Sequence, residues 1–350
     1  MFVYSGSLHI HSKFSDGSGD VKDIAALANE AGLDFIILTD HNTLRAKDEG
    51  YEGFYGNTLL IVGCEINDKE NKNHYLALGT EKTFSTRLPA AEYVKQVKEA
   101  GGIGFLAHPH EKRNSMKEHP PYPWTDWDTT DFTGIEIWNH MSVWMENLTE
   151  QNKYQSFVHP LRSVEKPPQE SLDVWDELNQ TRKVPGIGGI DAHAHRVNLL
   201  GFVEVEVFPY KVLYRSIRTY VLLPEKIEPT EDKTRQKYFE KLILEALKEG
   251  RSFVANYYHG SAKGFKFFAE QEGITYNMGD TIPQCNGVNF KVSVPAHHTA
   301  ELRLIKNGEV AGTVTGNEAD FFTGEKGVYR VEVMVNGKGW IYSNHIRVGI

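Results

Sequence analysis

Phe35-Ile36-Ile37-Leu38-Thr39-Asp40-His41 sets four apolar residues directly before a polar tip. Four apolar residues in a row read as a strand buried on both faces, as in a parallel sheet. Burial offers no reason to end such a strand on Asp-His, so the tip points to chemistry. The same arrangement recurs outward from this stretch. Residues 2–9 read as a strand running into His9-Ile10-His11, 59–62 leads to Glu65, 75–78 adjoins His74, 103–107 precedes His108, and 186–190 precedes Asp191-Ala192-His193. Helices are predicted at 21–31, stopped by Gly32, and at 90–100, stopped by Gly101-Gly102. Alternating strands and helices imply parallel βαβ units, to which 134–138 adds another strand. At one end of an α/β barrel, groups far apart in sequence converge on a single face.

The chain has 350 residues, 47 acidic and 38 basic, and a formal charge of -9. At roughly 150 residues per domain, the length favours two domains. The acidic balance argues against a surface that tracks nucleic acid. No apolar run approaches the ~20 residues of a membrane span. The cysteines, Cys64 and Cys285, are too few for a disulfide framework. Residues 1–8 lack the basic and long apolar parts of a secretory leader and run straight into His9, so a cytoplasmic setting is expected.

Two stretches interrupt the alternation. Residues 111–133 are polar and rich in Pro and Trp, and are read as a lid or wall over the site. Residues 143–178 are read as a helical insertion. After Gly201 come a period-two strand at 203–207, a helix at 211–218 and a long helix at 232–248 stopped by Gly250. Beyond about residue 263 only short alternating segments between Asn-Gly and Gly-Glu turns remain, which suggests a small antiparallel sandwich. The predicted organisation is therefore 1–262 followed by a β-sandwich at 263–350.

His9 and His11 lie two apart on one strand and so point the same way, which suits two imidazoles on one cation. Taken with Ser15-Asp16-Gly17, Leu38-Thr39-Asp40-His41-Asn42, Gly63-Cys64-Glu65, His74, Ala107-His108-Pro109, Glu136-Ile137-Trp138-Asn139, and Asp191-Ala192-His193 followed by Gly201, the chain resembles the PHP (polymerase and histidinol phosphatase) family of metallohydrolases. The resemblance implies a distorted (β/α)7 barrel with up to three metals at its strand ends. It assigns His9, His11, Glu65 and Asp191 to a first metal. Glu65 would bridge to a second metal held by His74 and His108, and Asp16, His41 and His193 would hold a third. His140 is the substitute should His74 not serve. The predicted catalytic set is Asp191, Glu65 and His193.

An all His/Asp/Glu set without thiolate suits two or three divalent ions, Zn, Mn or Fe. Two cations sharing a water lower its pKa from about 15.7 toward neutrality and clamp an anionic oxygen. A carboxylate such as Glu65 can face two metals, and Asp191 can orient or deprotonate the water. Asp40 is read as a helix cap or hydrogen-bonding partner. Arg113, Lys112 and Arg196 are candidates for gripping the phosphate or carboxylate of a small anionic substrate, and His110, His140 and His195, at the same strand ends, are candidates to meet it.

The leading expectation is a metal-dependent phosphoesterase working through a metal-bridged hydroxide. The C-terminal region, from Gly250-Arg251-Ser252-Phe253-Val254 to Ser343-Asn344-His345-Ile346, looks like the CehA/McbA branch of the family, which implies ester or carbamate hydrolysis as the alternative. A reading of another class is a noncatalytic binding module with structural metals. The sandwich is expected to brace the barrel or to mediate homo-oligomer formation.

Overall fold

The structure, a computed structural model, describes residues 1–113, 115, 120–199, 203–295 and 299–350, with the side chains of 197–199 and 203–205 excepted. Part of the 111–133 loop and Gly201 thus lie outside the described residues. The chain runs β1 (Phe2–Ser7), α1 (Val21–Glu30), β2 (Phe35–Leu38), α2 (Arg45–Asp48), β3 (Gly53–Tyr55), β4 (Thr58–Val62), β5 (Cys64–Ile66), β6 (Tyr75–Leu78), α3 (Ala90–Glu99), β7 (Ile103–Leu106), β8 (Gly134–Asn139), α4 (His140–Asn147), α5 (Lys153–Val158), α6 (Gln169–Thr181) and β9 (Gly186–Gly189). There follow β10 (Arg196–Leu199), β11 (Val203–Glu206), α7 (Tyr210–Leu213), β12 (Ile217–Leu223), α8 (Lys233–Glu249) and β13 (Ser252–Asn256). The remainder is strand-rich: β14 (Lys266–Gln271), β15 (Ile274–Asn277), β16 (Thr281–Ile282), β17 (Val288–Ser293), β18 (Ala300–Lys306), β19 (Glu309–Gly316), β20 (Glu318–Thr323), β21 (Gly327–Val335), β22 (Lys338–Ser343) and β23 (Ile346–Val348).

β2 is fully buried and pairs parallel to β1 and β4. Gly6 makes the first pairing fit, because a Cβ there would lie 2.2 Å from the Phe35 ring. Helix α1 buries Val21, Ile24, Ala25 and Ala28 on one stripe, and the chain leaves it through Gly32 at a φ of 70°. β5 to β9 form a second ladder. The two ladders meet at both edges. β4 passes through Gly63 into β5, and beyond β1 the His11 N–H bonds the Ala192 carbonyl at 2.9 Å while the Ile190 N–H bonds Leu8 at 3.0 Å.

This mixed α/β arrangement differs from the expected (β/α)7 ring. Among the described residues the ladders do not close, and the edges touch through the single bridges Ile10–Ala192 and His41–Glu65. β6 is antiparallel to both β5 and β7. The loop 67–74 is too short for the crossover of a dozen or more residues that a parallel neighbour needs.

The C-terminal strands are continuous with the first sheet, because β13 pairs with β22 (Phe253 opposite Ser343) across the boundary anticipated near residue 262. Phe267, Phe290 and Val292 of one C-terminal sheet share a core with Leu302, Val331, Val333 and Ile341 of the other. The inserted helix α6 is tied to this region. Arg330 donates from Nε and Nη2 to the two oxygens of Asp176, each at 2.7 Å, and His345 Nε2 lies 2.6 Å from the same carboxylate. Among the described residues, no helix is long and apolar enough to cross a membrane.

Candidate metal centre

The strand ends bring nine side chains to one place. His9 and His11 follow β1, Asp16 lies in the next turn, His41 follows β2, Glu65 is on β5, His108 follows β7, and Asp191 and His193 follow β9. His74 precedes its strand. Because β6 runs the other way, its beginning lies at the edge where its neighbours end.

Glu65 is the centre of the cluster. Its Oε2 faces His9 Nε2 at 3.1 Å, His11 Nε2 at 3.2 Å and His41 Nδ1 at 3.3 Å. Its Oε1 faces His74 Nδ1 at 2.8 Å and His108 Nε2 at 3.4 Å. Asp191 Oδ1 lies 3.4 Å from both His9 Nε2 and His11 Nε2, and Asp16 Oδ1 lies 3.3 Å from His193 Nε2. The donor atoms fall into overlapping sets within 4.8 Å of one another: His9, His11 and Asp191; His9, Glu65 and His108; His41, Glu65 and His74; and His11, Asp16, His41 and His193. Shared members make this one continuous cluster.

The donors suit cations on a further observation. His9 Nε2, both ring nitrogens of His11, His41 Nδ1, His74 Nε2 and His108 Nδ1 are buried without a hydrogen bond. Buried polar atoms are nearly always paired, so this many orphaned imidazole nitrogens grouped around two ionised carboxylates is a donor set that suits a metal shell. Burial alone would raise the carboxyls of Glu65 and Asp191. The surrounding imidazoles outweigh it and hold both well below the usual carboxylate range.

Backbone strain concentrates here. His9, His108 and Asp191 adopt positive φ values of 62°, 30° and 52°. Such conformations cost about 1–3 kcal/mol each in a non-glycine residue and persist only where packing over-determines them.

Glu136 is the residue that sequence reading underused, having entered only as part of a strand motif. It is buried on β8, with Oε1 3.0 Å from His9 Nδ1, and Oε2 accepts the His108 N–H at 2.8 Å and Asn139 Nδ2 at 2.9 Å. It therefore orients one imidazole and the backbone of another. A lone carboxylate in Gly134-Ile135-Glu136-Ile137-Trp138 was the available signal. Asn139 also donates to Asp191 Oδ2 at 3.3 Å and caps α4 by accepting the Ser142 N–H. Asp40 takes the hydrogen-bonding role, accepting from Ser12 N, Ser12 Oγ and Ser15 Oγ, each at 2.7 Å. It caps no helix, since α2 begins only at Arg45.

A cavity of about 300 Å³ opens over the cluster. Arg113 and Tyr122 of the 111–133 loop line it. Glu111 Oε1 accepts both Nε and Nη2 of Arg113, at 3.0 and 2.8 Å, and the guanidinium lies over the Tyr122 ring, which stacks on His74. Of the other residues expected to meet substrate, His195 lines the cavity, whereas His110, His140 and Arg196 do not. His140 is wholly buried against Ser216 Oγ, and burial pushes its imidazole down to about 3. His110 stacks on Trp127 and pairs with Ser171 Oγ at 3.0 Å. Arg196 is exposed at the start of β10, away from the cavity lining. The apolar lining comes from α4, α5 and the segment before α7: Met141, Trp144, Met145, Phe157, Val207 and Phe208.

Residues 7–120 match the PHP domain. The matched segment contains His9, His11, Asp16, His41, Glu65, His74 and His108, while Asp191 and His193 lie beyond it. An uncharacterized protein of Methanocaldococcus jannaschii is 27% identical over a region covering 29% of this chain and 66% of that protein. The chain thus spans just under two thirds of that relative's length. A two-domain protein from Bacteroides vulgatus, containing a predicted PHP-like metal-dependent phosphoesterase, is similar at 18% identity and a TM-score of 0.44, covering 98% of this chain and 95% of that one. An amidohydrolase from Chromobacterium violaceum is similar at 13% identity and a TM-score of 0.33, over 54% of this chain and 87% of that one.

Proposed function

We propose that this chain is a PHP-type metal-dependent hydrolase that cleaves a small phosphoester. The observation that carries the reading is Glu65, one buried carboxylate whose two oxygens face different histidine sets, His9, His11 and His41 on one side and His74 and His108 on the other. His9, His11, Asp16, His41, Glu65, His74, His108, Asp191 and His193 would hold two or three divalent cations, which would supply a water of lowered pKa and stabilise charge on the phosphoryl oxygens. The chain's own groups do the rest. Asp191, on the cavity side of the cluster with one oxygen held by Asn139, takes the proton of the attacking water. Arg113 at the cavity wall meets the anion, and Glu111 fixes its guanidinium in place. Glu136 keeps the His9 ring turned with Nε2 toward the cluster. The catalytic unit is assigned to residues 1–262, with 263–350 bracing α6.

A second reading is ester or carbamate hydrolysis of the CehA/McbA type. It is favoured by the pairing of Arg113 with Glu111, which offsets the cation a phosphate would seek. The test is turnover of aryl phosphates against aryl esters and carbamates by protein loaded with Zn, Mn or Fe, with E65Q as control. Phosphate release lost in E65Q supports the first reading. Preferential cleavage of the carbonyl esters supports the second. Absence of any metal-dependent turnover by folded, metal-bound protein refutes both.

A further inference from the structure

We propose that the substrate's leaving alcohol carries an apolar, aryl-sized group that seats on an aromatic wall built from Trp144, Phe157 and Phe208. The inference rests on the hydrolase reading and adds which phosphoesters the site selects. The overall step is balanced: water adds to phosphorus, the phosphorus–oxygen bond to the alcohol breaks, and one proton ends on the released alcohol.

The wall is a built feature. Trp144 meets Phe208 edge-on at 4.5 Å and 72°, and Phe157 at 5.0 Å and 64°. Phe157 and Phe208 lie nearly parallel at 6.1 Å. The one polar atom of the indole is spent on the Ser156 carbonyl at 3.2 Å, so only carbon faces the cavity. Met141 and Met145 border the rings with flexible side chains that adapt to an apolar ligand. Phe208 sits at a φ of 56°, a strained conformation for a bulky residue, held here while its ring packs against Trp144.

The wall is also rigidly indexed to the metal ligands. Helix α4, which carries Met141, Trp144 and Met145, starts directly from β8, the strand bearing Glu136, and is capped by Asn139. Among the cavity-lining residues, Met141, Trp144, Met145, Phe157, Val207 and Phe208 carry no side-chain hydroxyl or amide for a polyol, and outside the donor cluster the polar lining is Arg113, Tyr122 and His195. A sugar or glycerol moiety would surrender its water hydrogen bonds on the apolar side without replacement, whereas a ring gains by burial.

The test measures binding and turnover on metal-loaded protein. Calorimetry compares 2-phenylethylphosphonate with 2-hydroxyethylphosphonate, and kinetics compare 2-phenylethyl phosphate with glycerol 3-phosphate. The phenyl ligand should bind at least about tenfold more tightly, the low end of what burying such a ring supplies. F157A should bring the ratio toward one. Phe157 is 44% exposed, so this variant should fold even if a substitution at the buried Trp144 does not. Equal binding of the two phosphonates overturns the aromatic seat alone. Selective binding of the phenyl ligand with neither phosphate hydrolysed upholds the seat and overturns the phosphoesterase reading.

Discussion

Replacing Glu136 by Gln should weaken metal binding ten- to a hundredfold without altering the fold. The carboxylate is 1% exposed and both oxygens are committed, Oε1 to His9 Nδ1 at 3.0 Å and Oε2 to the His108 N–H at 2.8 Å and Asn139 Nδ2 at 2.9 Å. A glutamine amide offers an acceptor at one end and a donor at the other. If its oxygen stays with His9, its nitrogen meets two N–H donors, and each buried donor left unmatched costs about 1–3 kcal/mol. If the amide is reversed, its nitrogen donates to His9 Nδ1, and the neutral ring must carry its own proton on Nε2. That atom points at Glu65 Oε2 from 3.1 Å and is the one needed to bind metal. Either arrangement degrades the ligand. Partners of metal-binding histidines are typically worth 10- to 100-fold in affinity, about 1.4–2.7 kcal/mol. Chelator competition with Zn and Mn on both proteins, beside urea unfolding of each, measures the effect. Wild-type affinity in a folded E136Q protein would refute the reasoning.

Three further outcomes follow from the same geometry. G189A should mimic E136Q in metal titrations, because a Cβ at Gly189 would stand 2.1 Å from Glu136 Oε1 and 2.7 Å from His9 Cβ. R113A should raise KM for anionic substrates by about tenfold with a smaller change in kcat, the pattern of a binding contact that does not strengthen in the transition state. D176N should cost about 3 kcal/mol in denaturant unfolding at neutral pH, since it strips Arg330 of its bidentate partner in a buried site while Glu332 remains at 2.7 Å. Burial opposes ionisation of Asp176, yet Arg330 and His345 outweigh it and hold the carboxyl at about 2. With the folded value below the unfolded one of about 3.9, its contribution is complete above that value and lost as pH falls through about 2. The stability gap between wild type and D176N should therefore narrow on acidification, and a gap independent of pH would count against the ion pair.

The residues of the cluster were legible in the sequence because each is marked locally, by an imidazole or carboxylate set against a short apolar run. Phe35–Leu38 forms the strand its four apolar residues call for, and His41 stands at its tip. His74 was harder to place, since its position at the site depends on β6 running opposite to its neighbours, which the short loop before it imposes. Glu136 was less legible still. Its work is done on His9 and His108, partners far away in the chain.

By itself, then, the sequence determined which groups can bind metal and that they lie at the ends of strands, because donor chemistry and hydrophobic period are properties of neighbouring residues. Only the tertiary structure decided how Glu65 divides its two oxygens between histidine sets, that Arg113 faces the cavity while His110, His140 and Arg196 do not, and that Trp144, Phe157 and Phe208 form one wall. The C-terminal strands likewise join the first sheet through β13 and β22. Each of these rests on contacts between segments distant in sequence, where packing and sheet register select among faces that the local pattern leaves equivalent.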